Sequence, residues 1–311
     1  MSYELLIQIQ DNLVSFYLLD ATICQNRGNL LVKISGLLRL LRPVNCIVMS
    51  FAVLVGASLA GISSLHWLNL VYGAVTAFTL TGASMAVNDY YDFDIDKINE
   101  PSRPIPSGAV SRKAALLLTG FLTVVGLVAA LVISVYCVLF AFAAWVIMMA
   151  YSTVGKRRGF AGNLLVSACV AAPFLYGSLV AVNLIEINIL LFASMAFLSN
   201  TGREIAKGIV DVQGDRVNKI KTLAVSFGER KAAYAAAAFF IFAVCLSPLP
   251  VIFNLVSLWF VPFVLVTDVG LIWCSGQLIR NPSRENARQI KKLVLFLFVF
   301  GLLSFIFGKF G

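Results

Sequence analysis

Nine long apolar stretches, almost free of charged residues, run through the chain at 43–62, 67–88, 114–133, 135–154, 160–182, 186–202, 232–248, 251–274 and 293–308. A helix of about 20 apolar residues crosses the roughly 30 Å hydrocarbon core of a bilayer. Over 311 residues, 60% are apolar and only 13% charged. Soluble domains carry about half apolar and about a quarter charged residues, so a single soluble core is excluded. The fold class is all-α: a polytopic membrane protein with nine transmembrane helices in one bundle. Very short connections after the third and seventh spans predict tight turns there.

Charge sets the orientation. Of the 24 Lys and Arg residues, 23 lie before the first span or after the second, fourth, sixth and eighth. With nine spans these segments share one face, and only Lys309 lies opposite. The positive-inside rule makes that face cytoplasmic, with the amino terminus in and the carboxyl terminus out. The same segregation explains the net charge of +9 without nucleic acid. Residues 1–37 form a separate amino-terminal segment. Leu5, Ile9, Leu13, Phe16 and Tyr17 recur at helical spacing between Glu4, Asp11 and Asp20, which predicts an amphipathic helix on the cytoplasmic surface, with plain disorder as the alternative. No signal peptide is expected, because a basic start, an unbroken apolar run and a small-residue cleavage site are all lacking. Residues 38–311 form the transmembrane domain.

The residue inventory narrows the chemistry. His66 is the single histidine, so His-paired nucleophiles, HExxH zinc sites and bis-His haem are excluded. The six cysteines are scattered, form no CxxC pair and mostly sit in apolar stretches, where a thiol behaves as a small hydrophobe.

Two loops repeat one order of features. The first runs Asn88-Asp-Tyr-Tyr-Asp92-Phe-Asp94-Ile-Asp96, then Arg103-Pro-Ile-Pro-Ser-Gly108, then Arg112-Lys-Ala-Ala115. The second runs Asp211-Val-Gln-Gly-Asp215, then Lys221-Thr222, then Ser226-Phe-Gly228, then Arg230-Lys-Ala-Ala233. They lie four spans apart and share an orientation, which predicts a pseudo-repeat of about four helices. Their Pro/Gly/Ser-rich continuations, 97–113 and 203–231, are expected to cap the site between them, with 97–113 and 216–230 ordering as lids when ligand binds.

On a helix, Asn88, Asp92 and Asp96 recur at i, i+4, i+8 with Asp89 beside them, and Asp211 and Asp215 repeat the i, i+4 step. Like charges so spaced repel, which calls for a cation between them. A solvated charged membrane edge is the plainer explanation, but it accounts for neither the repetition nor the Asn-Asp start inside an apolar helix. Oxygen donors without histidine or cysteine suit Mg²⁺, which takes one or two carboxylates together with phosphate oxygens. Arg and Lys close by then suggest a Mg²⁺–diphosphate site, with the apolar interior behind it taking a hydrocarbon tail.

Together, NDYYDFDID, RPIPSG and DVQGD resemble the intramembrane polyprenyl transferases of the UbiA type over about residues 38–308. The family's NDxxDxxxD is matched by Asn88, Asp89, Asp92 and Asp96, and its DxxxD by Asp211 and Asp215. The resemblance implies a bundle with a central cavity in a multi-pass cell-membrane protein whose active site faces the cytoplasm. It implies Mg²⁺-dependent transfer of a prenyl group from its diphosphate. Metal ligands would be Asp89, Asp92, Asp96, Asp211 and Asp215, holding two Mg²⁺ ions, with Asn88 orienting the metal or a diphosphate oxygen. Arg103, Lys156, Lys207, Lys221 and Asn45 are the candidate diphosphate contacts; for the cations a positive-inside role, and for Asn45 a helix–helix hydrogen bond, is the competing assignment. The family's YxxxK is one residue longer here, Tyr151-Ser-Thr-Val-Gly-Lys156, leaving open which basic residue stands in that lysine's place.

The run Arg203-Glu-Ile-Ala-Lys207-Gly-Ile-Val-Asp211 most resembles archaeal members that add geranylgeranyl to geranylgeranylglyceryl phosphate in ether-lipid synthesis. An aromatic acceptor, as in quinone synthesis, is the alternative substrate. A secondary transporter is the alternative class, disfavoured because these acids cluster at one face and not at the midplane. Asp268 lies mid-span without a basic partner in its helix and is either functional or a neutral hydrogen-bonded acid. His66 is expected to be surface filler in an external loop.

Overall fold

A computed structural model of the chain describes residues 34–61, 67–153 and 155–309. The amphipathic reading of residues 1–37 falls almost wholly outside these, as does His66; only a helical segment at 34–41 enters the description. Among the described residues there are nine helices of 18 residues or more and no strand. They are α1 (Pro43–Ala60), α2 (Trp67–Tyr91), α3 (Arg112–Ile133), α4 (Val135–Thr153), α5 (Phe160–Val182), α6 (Ile187–Val210), α7 (Glu229–Leu246), α8 (Phe260–Arg280) and α9 (Arg284–Phe307).

Eight of the nine are long and apolar enough to cross a membrane. The exception is α6, which runs about two turns beyond its expected end at residue 202 and carries Arg203, Glu204 and Lys207 inside the helix. Glu204 binds both cations, with Arg203 Nη1 at 2.8 Å and Lys207 Nζ at 3.2 Å. The paired charges keep one another company within the helix, so it continues where composition alone predicts a loop.

Chain neighbours pack side by side (α1 with α2, α2 with α3, α5 with α6, α6 with α7, α8 with α9), while α1–α5 and α6–α9 contacts tie the sequence into one bundle. Small residues allow the close crossings. A Cβ on Gly56 of α1 would lie 2.2 Å from the Phe174 carbonyl oxygen of α5, and one on Gly177 of α5 would lie 2.2 Å from the Val53 carbonyl oxygen of α1. Two buried clusters lie toward the two ends of the chain. Val53, Leu80, Ala130 and Val180 lie in α1–α5, and Ile205, Phe240, Leu271 and Ile290 in α6–α9. A third, with Phe174, Phe192, Phe260 and Phe305, joins them. The outer surface is apolar: Leu117 is 75% exposed and Phe121 65%. Such a surface is matched by lipid and not by water.

The tight turn after the third span is present, with Ser134 alone between α3 and α4. The one after the seventh is not. Between Leu246 and Phe260 lie the short helix Leu249–Ile252 and an irregular stretch, because Pro248 and Pro250 stop α7 from continuing into α8.

Candidate active site

Both acidic motifs are built the same way. Helix α2 stops at Tyr91, Asp92 sits at φ −81°, ψ 1°, and a short helix Phe93–Asn99 follows. Helix α6 stops at Val210, Asp211 sits at φ −94°, ψ 4°, and a short helix Val212–Val217 follows. Helical hydrogen bonding bridges each break: Asp92 N to Asn88 O (2.9 Å) and Asp96 N to Asp92 O (2.8 Å) in one, Asp211 N to Lys207 O (3.0 Å) and Asp215 N to Asp211 O (2.9 Å) in the other. The i, i+4 spacing is therefore preserved across a kink. Asp92 matches Asp211, Asp96 matches Asp215, and the place of Asn88 is taken by Lys207.

Loop packing brings the two motifs to one end of the bundle. Gly159, at φ +59° between α4 and α5, lies so close to the second loop that a Cβ there would sit 1.8 Å from the Lys221 carbonyl oxygen. Arg284 at the start of α9 donates from Nε to the Val210 carbonyl (3.0 Å), holding the end of α6 just before Asp211. Tyr151, at the end of α4, is near enough to Asp92, Glu204 and Lys207 to feel all three charges. Lys207 and Lys291 in turn lie near Asp211.

The carboxylates of the first motif have distinct surroundings. Asp89 is 1% exposed and receives Arg42 Nη2 at 2.7 Å, with Arg103 Nη1 at 3.5 Å. Asp96 receives Arg103 Nη1 at 2.5 Å. Asp92 is buried, and Asn88 Nδ2 donates to its Oδ2 at 3.0 Å. Burial pushes the Asp96 carboxyl above the usual aspartate range, and Arg103 offsets only part of that rise. Burial also opposes the charge on Arg103, but Asp96 and Asp89 outweigh it and raise its pKa. Asp89, expected among the metal ligands, pairs with two arginines, Arg42 and Arg103. In the second motif Asp211 is exposed and Asp215 half-buried.

Of the expected diphosphate contacts, Arg103 and Lys207 lie within this network. Asn45 is half-buried one turn after Arg42. Lys221 has an exposed side chain and contributes its carbonyl to the Gly159 contact. The side chain of Lys156, within the helical turn Gly155–Arg158, lies outside those described. Two other basic residues of the first loop are parked on aromatic rings: Arg112 over Tyr90 at 4.4 Å and Lys97 over Phe93 at 4.2 Å. The loop itself is held by its own apolar anchors, Ile105 and Val110, both 4% exposed.

Sequence reasoning missed Arg42 and Glu204 as members of the site. Arg42 reads as one more positive-inside residue, and Glu204 as a helix ion pair; only burial, 7% exposure for Glu204, separates it from an ordinary surface acid.

Among the described residues no three His, Cys, Asp or Glu side chains are gathered as a complete metal cage. Mg²⁺ does not need one, since it binds through one or two carboxylates and draws further ligands from phosphate and water. Two buried atoms without a hydrogen-bond partner fit such a pair of ligands: the acceptor Asn88 Oδ1 and the donor Arg203 Nε. A cation would satisfy the first and an anion the second. Below the charged network an apolar cavity opens, lined by Met49 and Ala52 of α1, Phe174 of α5, Ser199 of α6, and Leu271 and Phe298 of α8 and α9. Ser199 lies one turn before Arg203 on α6, and Met49 one turn after Asn45 on α1, so the cavity continues directly from the charged end.

The model of the UbiA prenyltransferase family matches residues 49–305. Digeranylgeranylglyceryl phosphate synthase of Archaeoglobus fulgidus is 39% identical over 275 residues, covering 87% of this chain and 94% of that protein. A solved structure concerned with digeranylgeranylglyceryl phosphate synthase in membranes matches with a TM-score of 0.74 at 28% identity, over 89% of this chain and 98% of that one. A UbiA homologue from Archaeoglobus fulgidus, solved with GPP and Mg²⁺ bound, shares the fold with a TM-score of 0.58 at 18% identity, over 87% of this chain and 99% of that one.

Proposed function

The chain belongs to the UbiA prenyltransferase family, and on that premise we propose that it transfers a geranylgeranyl group from geranylgeranyl diphosphate to geranylgeranylglyceryl phosphate, forming the second ether of an archaeal lipid. In this reaction the allylic C–O bond of the donor breaks with its electron pair leaving on the diphosphate. The acceptor hydroxyl oxygen forms the new ether bond and loses its proton. The observation that carries the reading is that both acidic motifs are built alike: Asp92 and Asp211 each end a long helix at nearly the same backbone angles and keep the i, i+4 step to Asp96 and Asp215.

Asp92, Asp96, Asp211 and Asp215 are the residues we assign to hold Mg²⁺, two ions across the two motifs, with Asn88 Oδ1 as a further oxygen donor. When bound, Mg²⁺ supplies neutralising charge at the diphosphate oxygens. Arg103, Arg203 and Lys207 orient the diphosphate and stabilise the charge that grows on it as the bond breaks. Asp89 and Glu204 hold these cations in place, so little reorganisation is needed during reaction. The apolar cavity receives the prenyl chain and keeps water from the allylic cation. The stretch before α3 and the one between α6 and α7, residues 97–111 and 211–228, cap the site; 203–210, expected in the cap, belong to α6. This arrangement belongs in the cell membrane with the charged face toward the cytoplasm, as the basic residues dictate.

The test is a product assay on purified protein with labelled geranylgeranyl diphosphate, offering geranylgeranylglyceryl phosphate or an aromatic quinone precursor as acceptor. The expected result is a doubly prenylated glyceryl phosphate, lost on chelation and restored by Mg²⁺. Prenylation of the aromatic compound alone would reject the acceptor assignment.

A further inference from the structure

The charged site accounts for the cytoplasm-directed end of the cavity, but one ionisable group lies far from it. Asp268 is the single ionisable side chain among the described residues that line the apolar cavity. It accepts a hydrogen bond from Ser247 Oγ at 2.5 Å, and Ser247 is 2% exposed at the end of α7. Other polar residues of the wall bond within their own helix or to backbone: Ser304 Oγ to Gly301 O, Thr267 Oγ1 to Phe263 O and Leu297 O. Among the described residues, the Asp268–Ser247 pair is the one side-chain-to-side-chain bond bordering the cavity, tying α8 to the cap of α7.

Depth decides what this pair can meet. Asp268 precedes Arg280, the last residue of α8, by twelve positions, or about 18 Å at 1.5 Å per residue. That slightly exceeds half of the roughly 30 Å hydrocarbon core, a depth that an extended chain of four isoprene units reaches. A diphosphate held at the charged end would therefore bring the tail of a four-isoprene chain to the level of Asp268. A still longer chain must run past it. Hydrocarbon laid against the carboxyl excludes water from it and offers no hydrogen bond in return, which is unfavourable. A chain that ends at this level avoids that loss.

The geometry points to Asp268, supported by Ser247, as the specificity-determining group that limits the length of the prenyl chain the cavity accepts. This rests on the prenyl-transfer reading above. Asp268 touches the tail and not the reacting atoms, so its effect falls on donor selection.

The experiment measures kcat/KM of the full-length protein in detergent with farnesyl, geranylgeranyl and farnesylgeranyl diphosphate, for the wild type, Asp268→Leu and Asp268→Asn. The wild type should prefer geranylgeranyl over farnesylgeranyl diphosphate by about tenfold or more, the scale on which apolar pockets discriminate small differences in chain size. Asp268→Leu should bring that ratio close to one. Asp268→Asn, neutral but still hydrogen-bonded, should relax it by about threefold, and it carries the test if the leucine variant shows no cooperative melt. A ratio unchanged from wild type in a folded variant overturns the proposal, because a purely structural bond between α7 and α8 would not alter length preference. Failure of the wild type with all three donors would instead overturn the prenyl-transfer reading itself.

Discussion

Asp92 and Asp211 occupy equivalent places: each is the residue at which a long helix gives way to a short one, with nearly the same backbone angles (φ −81°, ψ 1° and φ −94°, ψ 4°). A pair of helix ends built alike is what an internal duplication would produce around one anionic ligand.

From this pairing, Asp92→Asn and Asp211→Asn should each lower prenyl transfer by about a hundredfold, the size typical of lost electrostatic stabilisation. The double variant should be little worse than the more impaired single one, since residues acting as a unit give non-additive losses. Steady-state rates of the three proteins test this, and multiplicative losses would separate the motifs into independent roles.

Arg103 should be needed for stability mainly when Asp96 is charged. Burial raises the Asp96 pKa above its unfolded value, so this group favours folding at low pH, and that contribution is lost as pH rises through the folded value. Arg103 lowers that folded value, and Arg103→Gln should raise it further. The variant should be less stable than wild type by about 1–3 kcal/mol at neutral pH. Thermal melts across pH should show the deficit shrinking on acidification, as Asp96 takes up a proton and no longer needs a counter-charge. A deficit independent of pH would contradict this.

Glu204→Gln should retain the helix but release Arg203 and Lys207 from their common anchor at 2.8 and 3.2 Å. The expected effect is a fall of at least tenfold in kcat/KM for the diphosphate donor, since charge-assisted bonds of this kind contribute about 1.5–3 kcal/mol. Acceptor KM should change little. An equal rise in both KM values would point to general disruption.

Gly159→Ala should destabilise the protein by more than about 1 kcal/mol, because the residue is left-handed and the added methyl meets the Lys221 carbonyl. The clash is with backbone, so the second loop must move. Faster proteolytic cutting within 216–230 in the variant, at temperatures where both proteins are folded, would show the displacement directly.

How far the sequence could be read depended on the range of the physics involved. Apolar run length and the placement of 23 of 24 basic residues are one-dimensional properties, and bilayer thickness converts them directly into helices. The repeat, too, is visible in residue order, because i, i+4 spacing is local. Element ends were less legible: α6 passes its expected end because Glu204 neutralises its neighbours, and Pro248 and Pro250 open a connection where a tight turn was expected.

By itself, then, the sequence determined a multi-span helical protein, a duplicated acidic motif and the oxygen-rich chemistry that goes with a metal–diphosphate pair. The tertiary structure decided which charges meet. Arg42 lies 47 positions from Asp89 yet binds it at 2.7 Å, and Arg284 lies 74 positions from Val210 yet donates to its carbonyl at 3.0 Å. Positive-inside arginines and site arginines have the same sequence signature, since both are cations beside an apolar run. What separates them is the burial of the carboxylate opposite, and burial arises only when distant helices pack.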